Sequence, residues 1–326
     1  MRLLVTGGAG YIGSIVARRL LEGGHEVAVL DNLERGHRQA VPEGAQLVVA
    51  DLLDRDTVEA TLREGRFDGA MHFAALALVA ESVSHPERYY RTNVGGTLNL
   101  LEAMAAAGVP RLVFSSTCAV YGQPEIVPIA ETTVPVPVNA YGASKLAVDL
   151  MIRDFCKATG LGAVSLRYFN VAGASGGLGE DHDPETHLIP NILRVALGSA
   201  PTVNVYGTDY STPDGTAVRD YIHVEDLADA HLLALDGTRA SEHRVFNLGN
   251  GNGFSVREVI AAAETVTGCE IRTSEAPRRP GDPPELVAAS DLIRSELGWE
   301  PRKPTIEEMV GDAWAFARAH PNGYSY

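Results

Sequence analysis

The sequence predicts an α/β fold with a doubly wound parallel sheet, followed by a smaller second α/β domain. Three observations support this prediction: a strand, a glycine turn and a helix open the chain, strands and helices then alternate, and the composition changes to a glycine-rich stretch at 173–179. Such alternation is typical of parallel sheets with helices on both faces. We expect a Rossmann-type domain over 1–173 and a second domain over 174–326, with segments around 216–250 rejoining the first.

The opening residues carry the most informative motif. An apolar run at Leu3–Val5 is long enough for a buried strand, and apolar residues recur at helical spacing up to Glu22. Between them, Gly7 permits a tight turn, Gly10 lets the backbone approach a pyrophosphate, and Gly13 lets the helix lie close to the strand. The positive end of the helix then faces the phosphates. The motif therefore predicts a dinucleotide site, and the three glycines with these roles have the spacing G-x-x-G-x-x-G.

The second predicted strand, His25–Leu30, ends in an acidic residue. Asp31 and Asn32 follow the glycine turn by about 20 residues, the position at which a carboxylate binds a ribose with free hydroxyls. A carboxylate there repels a 2′-phosphate, so NAD is favoured over NADP, and the neighbouring Arg35 keeps NADP as the alternative.

The remaining elements of the first domain follow in order. The predicted strands are 46–50, 69–73, 111–115 and 164–168, and the predicted helices are 57–63, 89–107 and 141–159. Residues 122–139 are rich in proline and are predicted to be a loop. The carboxyl ends of parallel strands form the edge that binds ligands, so residues just after each strand are candidate site residues.

Tyr141 and Lys145 lie one helical turn apart and therefore share a helix face. A nearby ammonium favours the phenolate form of a tyrosine, whose ordinary pKa is about 10, and a phenolate can remove a hydroxyl proton while hydride leaves the same carbon. Thr117, at the end of its strand, is placed to hydrogen-bond the reacting oxygen. The alternatives are an exposed Tyr–Lys pair without a task and a strand-end hydroxyl that bonds its own backbone.

Composition excludes several classes of function. A net charge of −15 argues against nucleic-acid or anionic-membrane binding, and no apolar run approaches the ~20 residues of a membrane span. The first strand starts at Arg2 or Leu3, so we expect no leader. The cysteines, Cys118, Cys156 and Cys269, show neither metal-site spacing nor a disulfide framework, so we expect no metal and a cytoplasmic location.

Together these motifs resemble the extended short-chain dehydrogenase/reductase family, and within it the UDP-hexose 4-epimerases. The glycine motif and the Tyr–Lys pair are shared across the family. The more specific stretches are 72–75, 81–82, 114–117, 120–122, 167–170, 214–216, 218–224, 246–249, 278–282 and 320–324. The resemblance implies an isomerase that interconverts UDP-glucose and UDP-galactose by hydride transfer to tightly bound NAD through a 4-keto sugar. It also implies a homodimer, with the helices 89–107 and 141–159 as candidate contacts.

The resemblance also implies roles for individual residues. Those of the NAD site are Gly7, Gly10, Tyr11, Ile12, Gly13, Asp31, Asn32, Asp51, Leu52, Phe73, Ala74, Ala75, Asn93, Lys145 and Tyr168. Thr117 and Tyr141 are placed at the sugar, with Tyr141, Lys145 and Thr117 as the catalytic set. Those of the UDP site are Asn170, His187, Leu188, Asn204, Tyr206, Arg219, Arg279 and Asp282.

Two positions depart from the family pattern. Ala77 stands where one member has a lysine that reaches the cofactor, which weakens the expected retention of NAD. Leu286 stands where some members have a bulky tyrosine, so we expect a side activity on UDP-N-acetylhexosamines. Alternatives are an epimerase of UDP-hexuronic acids or UDP-pentoses and a non-catalytic NAD-binding protein; a 4,6-dehydratase is disfavoured because Cys118 and Ala119, rather than acids, follow the strand-end threonine.

Overall fold

The computed structural model describes residues 1–279 and 281–324, which form two compact units. The first unit consists of Met1–Gly122, Val134–Arg167 and Ala228–Phe246; the second consists of Gln123–Thr133, Tyr168–Leu227 and the chain from Asn247 onward.

The helices and strands follow the predicted order. The strands are β1 (Arg2–Thr6), β2 (Glu26–Asp31), β3 (Gln46–Val49), β4 (Gly69–His72), β5 (Arg111–Thr117), β6 (Gly162–Tyr168), β7 (Asn170–Ala172), β8 (Val203–Tyr206), β9 (Val218–His223), β10 (His243–Leu248), β11 (Gly253–Ser255), β12 (Thr273–Ala276) and β13 (Glu285–Leu286). The helices are α1 (Tyr11–Glu22), α2 (Arg55–Gly65), α3 (Val79–Ser84), α4 (Pro86–Tyr89), α5 (Gly96–Ala107), α6 (Ala140–Thr159), α7 (Leu188–Ala196), α8 (Val224–Asp236), α9 (Val256–Thr267), α10 (Asp291–Leu297) and α11 (Ile306–Ala319). Within the described ranges, none of these helices has the length and apolarity that crossing a membrane requires.

The first unit is built on a sheet with the strand order β10-β6-β5-β4-β1-β2-β3. β1 pairs in parallel with β2 and β4, and the next pairs on either side, β2–β3 and β4–β5, are parallel too. The apolar run Leu3–Val5 is fully buried at its centre, and Leu100 and Leu101 of α5 pack in the same core as Leu4. This confirms the predicted doubly wound fold. The strand order reverses between β1 and β4, and such a switch point is where open α/β sheets bind ligands.

The second unit is smaller and more irregular. β9 pairs with β7, β11 and β13, while β8 pairs with β12. Its core contains Ile192 of α7, Val259 of α9 and Met309 of α11, each fully buried. Its strands are short, and loops that carry polar side chains connect them.

The division between the units differs from the predicted boundary at residue 173. Of the region around 216–250, Ala228–Phe246 lies in the first unit, whereas β9 lies in the second. The start of the proline-rich loop belongs to the second unit because Ile129 donates its N–H to Val287 O and Glu131 accepts the N–H of Asn247. Local composition could not reveal these pairings between distant segments.

The chain is helical throughout 89–107, as predicted, but it is not α-helical over the whole length. A π-helical turn at Tyr90–Gly95 separates α4 from α5. Thr97 donates its hydroxyl to Asn93 O within this region, and π turns of this kind are frequent at functional sites. The interruption therefore falls on a predicted cofactor residue, Asn93.

Candidate active site

The glycine turn follows β1 at the carboxyl edge of the sheet. Gly7 has φ +71°, and a Cβ there would lie 2.5 Å from Ala74 N. A Cβ on Gly13 would lie 2.2 Å from Gly7 O, whereas a Cβ on Gly10 would meet that oxygen only at 3.4 Å. Gly7 and Gly13 are therefore required by the fold itself. Gly10 is not, which leaves the space beside it open to a ligand.

Helix α1 begins directly after this turn. Gly10 is its N-cap and supplies no side-chain hydrogen bond, while Tyr11 and Ile12 lie in the first turn. The N–H groups of a first turn have no partners within the helix and attract anions. The segment thus presents a helix N terminus without a side-chain cap, as a pyrophosphate site requires.

Asp31 lies at the end of β2 and is held by backbone donors. Its Oδ2 accepts the N–H of Ala9 at 3.0 Å, and its Oδ1 accepts the N–H of Leu33 at 2.9 Å. Burial raises its pKa, and these two hydrogen bonds oppose that shift. Beside it, Asn32 donates to Asp51 Oδ2 at 2.8 Å. The structure therefore brings the predicted ribose and adenine residues together at adjacent strand ends.

The next part of the site follows β4. The ring of Phe73 lies 4.8 Å from that of His231 on α8. Asn93 accepts the N–H of Leu76 at 2.8 Å and donates to Ser144 Oγ at 3.0 Å, so the π turn is tied to both the β4 loop and α6. The other predicted residues here are Leu52, Ala74 and Ala75. Leu76 and Ser144 were not predicted, because their contacts depend on the π turn.

Thr117 and Tyr141 form the reactive pair. Thr117 ends β5, and Tyr141 lies in the first turn of α6, which Asn139 caps by accepting the N–H of Gly142 at 2.8 Å. The hydroxyl of Thr117 accepts the N–H of Ala119 at 3.1 Å and interacts with the hydroxyl of Tyr141. Burial raises the pKa of Tyr141 to about 12, although the Thr117 contact opposes the shift.

Lys145 lies one turn further along α6 and is 3 % exposed. Its Nζ donates to Ser115 O at 2.8 Å and lies 4.8 Å from the centre of the Phe114 ring. Burial lowers the pKa of Lys145 to about 7, and the charge of Asp149 opposes this shift. Burial is the largest cause of the Tyr141 shift, so the lowering of its pKa by Lys145 stays a prediction.

A buried charge network supports this face of α6. Asp149 Oδ2 accepts hydrogen bonds from Arg167 Nε at 3.1 Å and from a terminal nitrogen of the same guanidinium at 2.9 Å. Arg167 also donates to the Tyr121 hydroxyl at 3.0 Å. This network was not predicted. Asp149 continues the four-residue spacing of Tyr141 and Lys145, and that spacing could have identified it.

In the second unit, the predicted UDP residues form local pairs on neighbouring strands and loops. Arg219 of β9 binds the carboxylate of Asp282 and donates to Pro283 O at 2.9 Å. The Arg279 guanidinium lies 4.1 Å from the centre of the Tyr206 ring, and Asn204 donates to the Tyr206 hydroxyl at 3.5 Å. Two further predicted residues flank the start of this unit: Tyr168 ends β6 and Asn170 begins β7.

His187 and Leu188 lie at the start of α7. His187 is the N-cap, and its Nδ1 lies 2.6 Å from Glu180 Oε1 and 3.2 Å from Glu185 Oε1. Glu180 raises the pKa of His187 to about 11. Burial alone would raise the pKa of Glu180, but His187 and His182 lower it to about 2. Glu180, His182 and Glu185 were not predicted, although the stretch 180–187 is dense in acids and histidines.

The comparisons with known proteins agree with this geometry. The model of the NAD-dependent epimerase/dehydratase family matches residues 3–249. The chain is 56% identical to the UDP-glucose 4-epimerase of Streptomyces lividans, over 99% of this chain and 98% of that one, and 53% identical to that of Corynebacterium glutamicum, over 98% and 96%. It also resembles a crystal structure of UDP-glucose 4-epimerase from Bifidobacterium longum in complex with NAD+ and UDP, with a TM-score of 0.95, 39% identity and coverage of 99% and 100%. The chain therefore belongs to the NAD-dependent epimerase/dehydratase family.

Proposed function

We propose that the chain is an NAD-dependent isomerase that interconverts UDP-glucose and UDP-galactose by inverting C4 of the sugar. The observation that carries the proposal is the approach of the Tyr141 and Thr117 hydroxyls, with Lys145 one turn along the same helix. It lies in the unit that also contains the glycine turn and Asp31. The similarity to two curated UDP-glucose 4-epimerases over nearly the full chain supports the same reaction.

The residues assigned to NAD, which lie in the first unit except for Tyr168, fit the cofactor. The N terminus of α1 beside Gly10 suits the pyrophosphate, because no side chain caps it and a Cβ at Gly10 would touch little. Asp31 suits the hydroxyls of the adenosine ribose, and Asn32, Asp51 and Leu52 suit the adenine end. Phe73, Ala74, Ala75, Asn93, Lys145 and Tyr168 hold the remainder of the cofactor.

Tyr141 removes the proton from the sugar O4, directly or through Thr117, and later returns it. With a pKa of about 12, ionising this tyrosine at pH 7 costs roughly 7 kcal/mol, so it needs a cation close by. When bound, NAD supplies a nicotinamide ring that takes up the C4 hydride and returns it, and whose positive charge favours the phenolate. Lys145 holds the end of β5 through Ser115 O and adds charge in its protonated form.

The second unit binds the UDP portion of the substrate. Arg219 and Arg279 suit the diphosphate, because a guanidinium binds phosphate oxygens through two parallel hydrogen bonds. The backbone at His187 and Leu188, at the N terminus of α7, offers further N–H donors. Asn170, Asn204, Tyr206 and Asp282 complete this set. Binding strength is thus placed away from C4, so the 4-keto sugar can turn over while it remains held.

The test is to purify the protein without added cofactor, supply UDP-galactose and follow the formation of UDP-glucose. We expect conversion without added NAD, with Tyr141→Phe as the inactive control. Conversion only after NAD is added would support the proposed reaction and show that the protein retains NAD weakly, as Ala77 predicts. NAD binding without conversion under either condition would reject the sugar assignment, and UDP-hexuronic acids and UDP-pentoses would become the candidates.

We further propose a side activity on UDP-N-acetylhexosamines. Leu286 of β13 pairs in register with Arg219, so its side chain belongs to the same part of the second unit as the proposed diphosphate ligands. A leucine there leaves more room at the C2 substituent than a tyrosine. Turnover of UDP-N-acetylglucosamine that falls in Leu286→Tyr, while UDP-galactose turnover persists, supports this; complete absence of turnover by the active wild-type enzyme rejects it.

We also propose a cytoplasmic homodimer. Tyr90 on the π turn, Leu98 on α5 and Leu150 on α6 are large apolar side chains that are 46 %, 37 % and 44 % exposed, and all lie on the helices predicted to form the contact. None of the cysteines, all of which the structure describes, forms a disulfide, as a reducing compartment requires. Light scattering of the wild type and of Leu98→Glu tests the dimer, which the glutamate should disrupt.

A further inference from the structure

Two histidines and two glutamates converge in the segment 180–187, which we call the 180–187 cluster. One ligand atom from each of Glu180, His182, Glu185 and His187 lies within 4.8 Å of all the others. His182 Nδ1 lies 3.2 Å from Glu180 Oε1 and 3.8 Å from Glu185 Oε2. Both imidazoles thus present Nδ1 to the same pair of carboxylates.

We propose that this cluster binds one zinc ion. Zinc takes four ligands in a tetrahedron, and atoms about 2.0–2.2 Å from the metal lie roughly 3.4 Å from one another. The contacts of 3.2 and 3.8 Å already match that spacing, while zinc must displace the proton that Glu180 holds on His187 and widen their 2.6 Å contact. Two imidazoles favour zinc over magnesium or calcium, which prefer sites made only of oxygen.

Local contacts hold the side chains of the 180–187 cluster close together. His182 Nδ1 is buried, yet within the described ranges its approach to the carboxylates does not have the geometry of a hydrogen bond. Glu185 accepts the N–H groups of Thr186 and His187 at 2.7 and 2.8 Å, which fixes its carboxylate. Such outer contacts orient metal ligands.

The zinc site goes beyond the proposed reaction, because no step of that reaction uses a metal. It would fix the segment that leads into α7 and assign the ring of His187 to the metal, leaving the backbone at 187–188 for the substrate. The cysteine pattern, which predicted no metal, has no bearing on a site built from histidines and glutamates. Zinc binding is measured without substrate, so its outcome is independent of whether the chain is an epimerase.

The experiment titrates ZnCl2 into chelator-treated full-length protein by calorimetry and measures bound zinc by mass spectrometry. We expect one zinc per chain, and an affinity that falls roughly 100-fold or more in His182→Gln and in Glu180→Gln. The matched control is His85→Gln, which removes the exposed His85–Glu87 pair and should bind zinc as the wild type does.

Cobalt provides a second readout that needs no variant. Co2+ bound to the wild-type protein should show the strong visible absorption of tetrahedral coordination, and added Zn2+ should abolish it. The proposal is overturned if the wild type binds no zinc, if His182→Gln and His85→Gln bind it equally, or if bound cobalt is octahedral.

Discussion

The two units are suited to bind their ligands by different means. In the first, recognition rests on backbone: a glycine turn, the uncapped N terminus of α1, and N–H groups that hold Asp31 in place. In the second, it rests on side chains from separate segments, such as Arg219, which binds Asp282 and Pro283 O, and Arg279, which lies against the Tyr206 ring. Ligand binding by the first unit should therefore be weakened by substitutions that add side-chain atoms. Ligand binding by the second unit should be weakened by substitutions that remove a charge.

The units also differ in how their charges are buried. Lys145, Asp149 and Arg167 are almost completely enclosed in the first unit, whereas Arg219 and Asp282 retain partial exposure in the second. A buried charge has a strongly shifted pKa or needs a complete set of partners, while a partly exposed pair is screened by water. Substitutions of charged residues in the first unit should thus change stability and activity more, and in a more pH-dependent way, than those in the second.

The largest effect is expected from Tyr141→Phe. It removes the hydroxyl that exchanges the proton with O4, while the ring and its edge contact with Tyr89 persist. We expect kcat for UDP-galactose to fall by about 1,000-fold or more, with little change in NAD binding, since general-base catalysis contributes roughly 10²–10⁴-fold. A fall of less than tenfold would show that another group removes the proton. Thr117→Val should have a smaller effect if the relay through Thr117 is optional.

A matched glycine pair tests the backbone side of the comparison. Gly13→Ala places a Cβ 2.2 Å from Gly7 O and should lower the free energy of unfolding by roughly 3 kcal/mol. Gly10→Ala has an ordinary φ of −86° and a contact of 3.4 Å, so stability should be unchanged while the Cβ obstructs the pyrophosphate. Urea unfolding and NAD titration separate the two effects. Equal loss of stability in both variants would contradict this assignment.

The same difference explains what the sequence could predict. The glycine turn, Asp31 and the Tyr141–Lys145 pair are local patterns, so spacing alone placed them on the correct strand ends and helix. The Arg219–Asp282 pair joins residues 63 positions apart, so it depends on how distant segments meet, which no periodicity encodes. The shifted pKa values of Tyr141 and Lys145 were missed because they follow from burial depth, and spacing does not measure depth.

Lys145 tests the cost of burying a charge. Its pKa is about 7 in the folded chain and about 10.4 when unfolded, so between these values the unfolded chain binds more protons. Stability from this group therefore rises from pH 7 to 10.4, and below pH 7 the full cost of the buried ammonium is present. We expect Lys145→Met to raise the free energy of unfolding by roughly 2–3 kcal/mol at pH 6.

The gain in the free energy of unfolding of Lys145→Met should shrink toward pH 10, while the epimerase activity of this variant is reduced throughout. Lys157→Met, at an exposed position of the same helix, is the matched control and should leave both quantities unchanged. A constant difference between wild type and Lys145→Met across this pH range would show that the lysine is not buried in its charged form.

The smallest effect is expected from the partly exposed pair in the second unit. Asp282→Asn leaves Arg219 charged but removes the carboxylate that orients its guanidinium. We expect KM for UDP-galactose to rise about twofold to fivefold with kcat nearly unchanged, because a partly exposed ion pair contributes up to roughly 1 kcal/mol. Asp209→Asn, which breaks the neighbouring Arg278–Asp209 pair, is the matched control and should not change KM. A loss of kcat in Asp282→Asn without a change in KM would instead place this pair at the reacting sugar, and the contrast between a backbone-built and a charge-built unit would no longer hold.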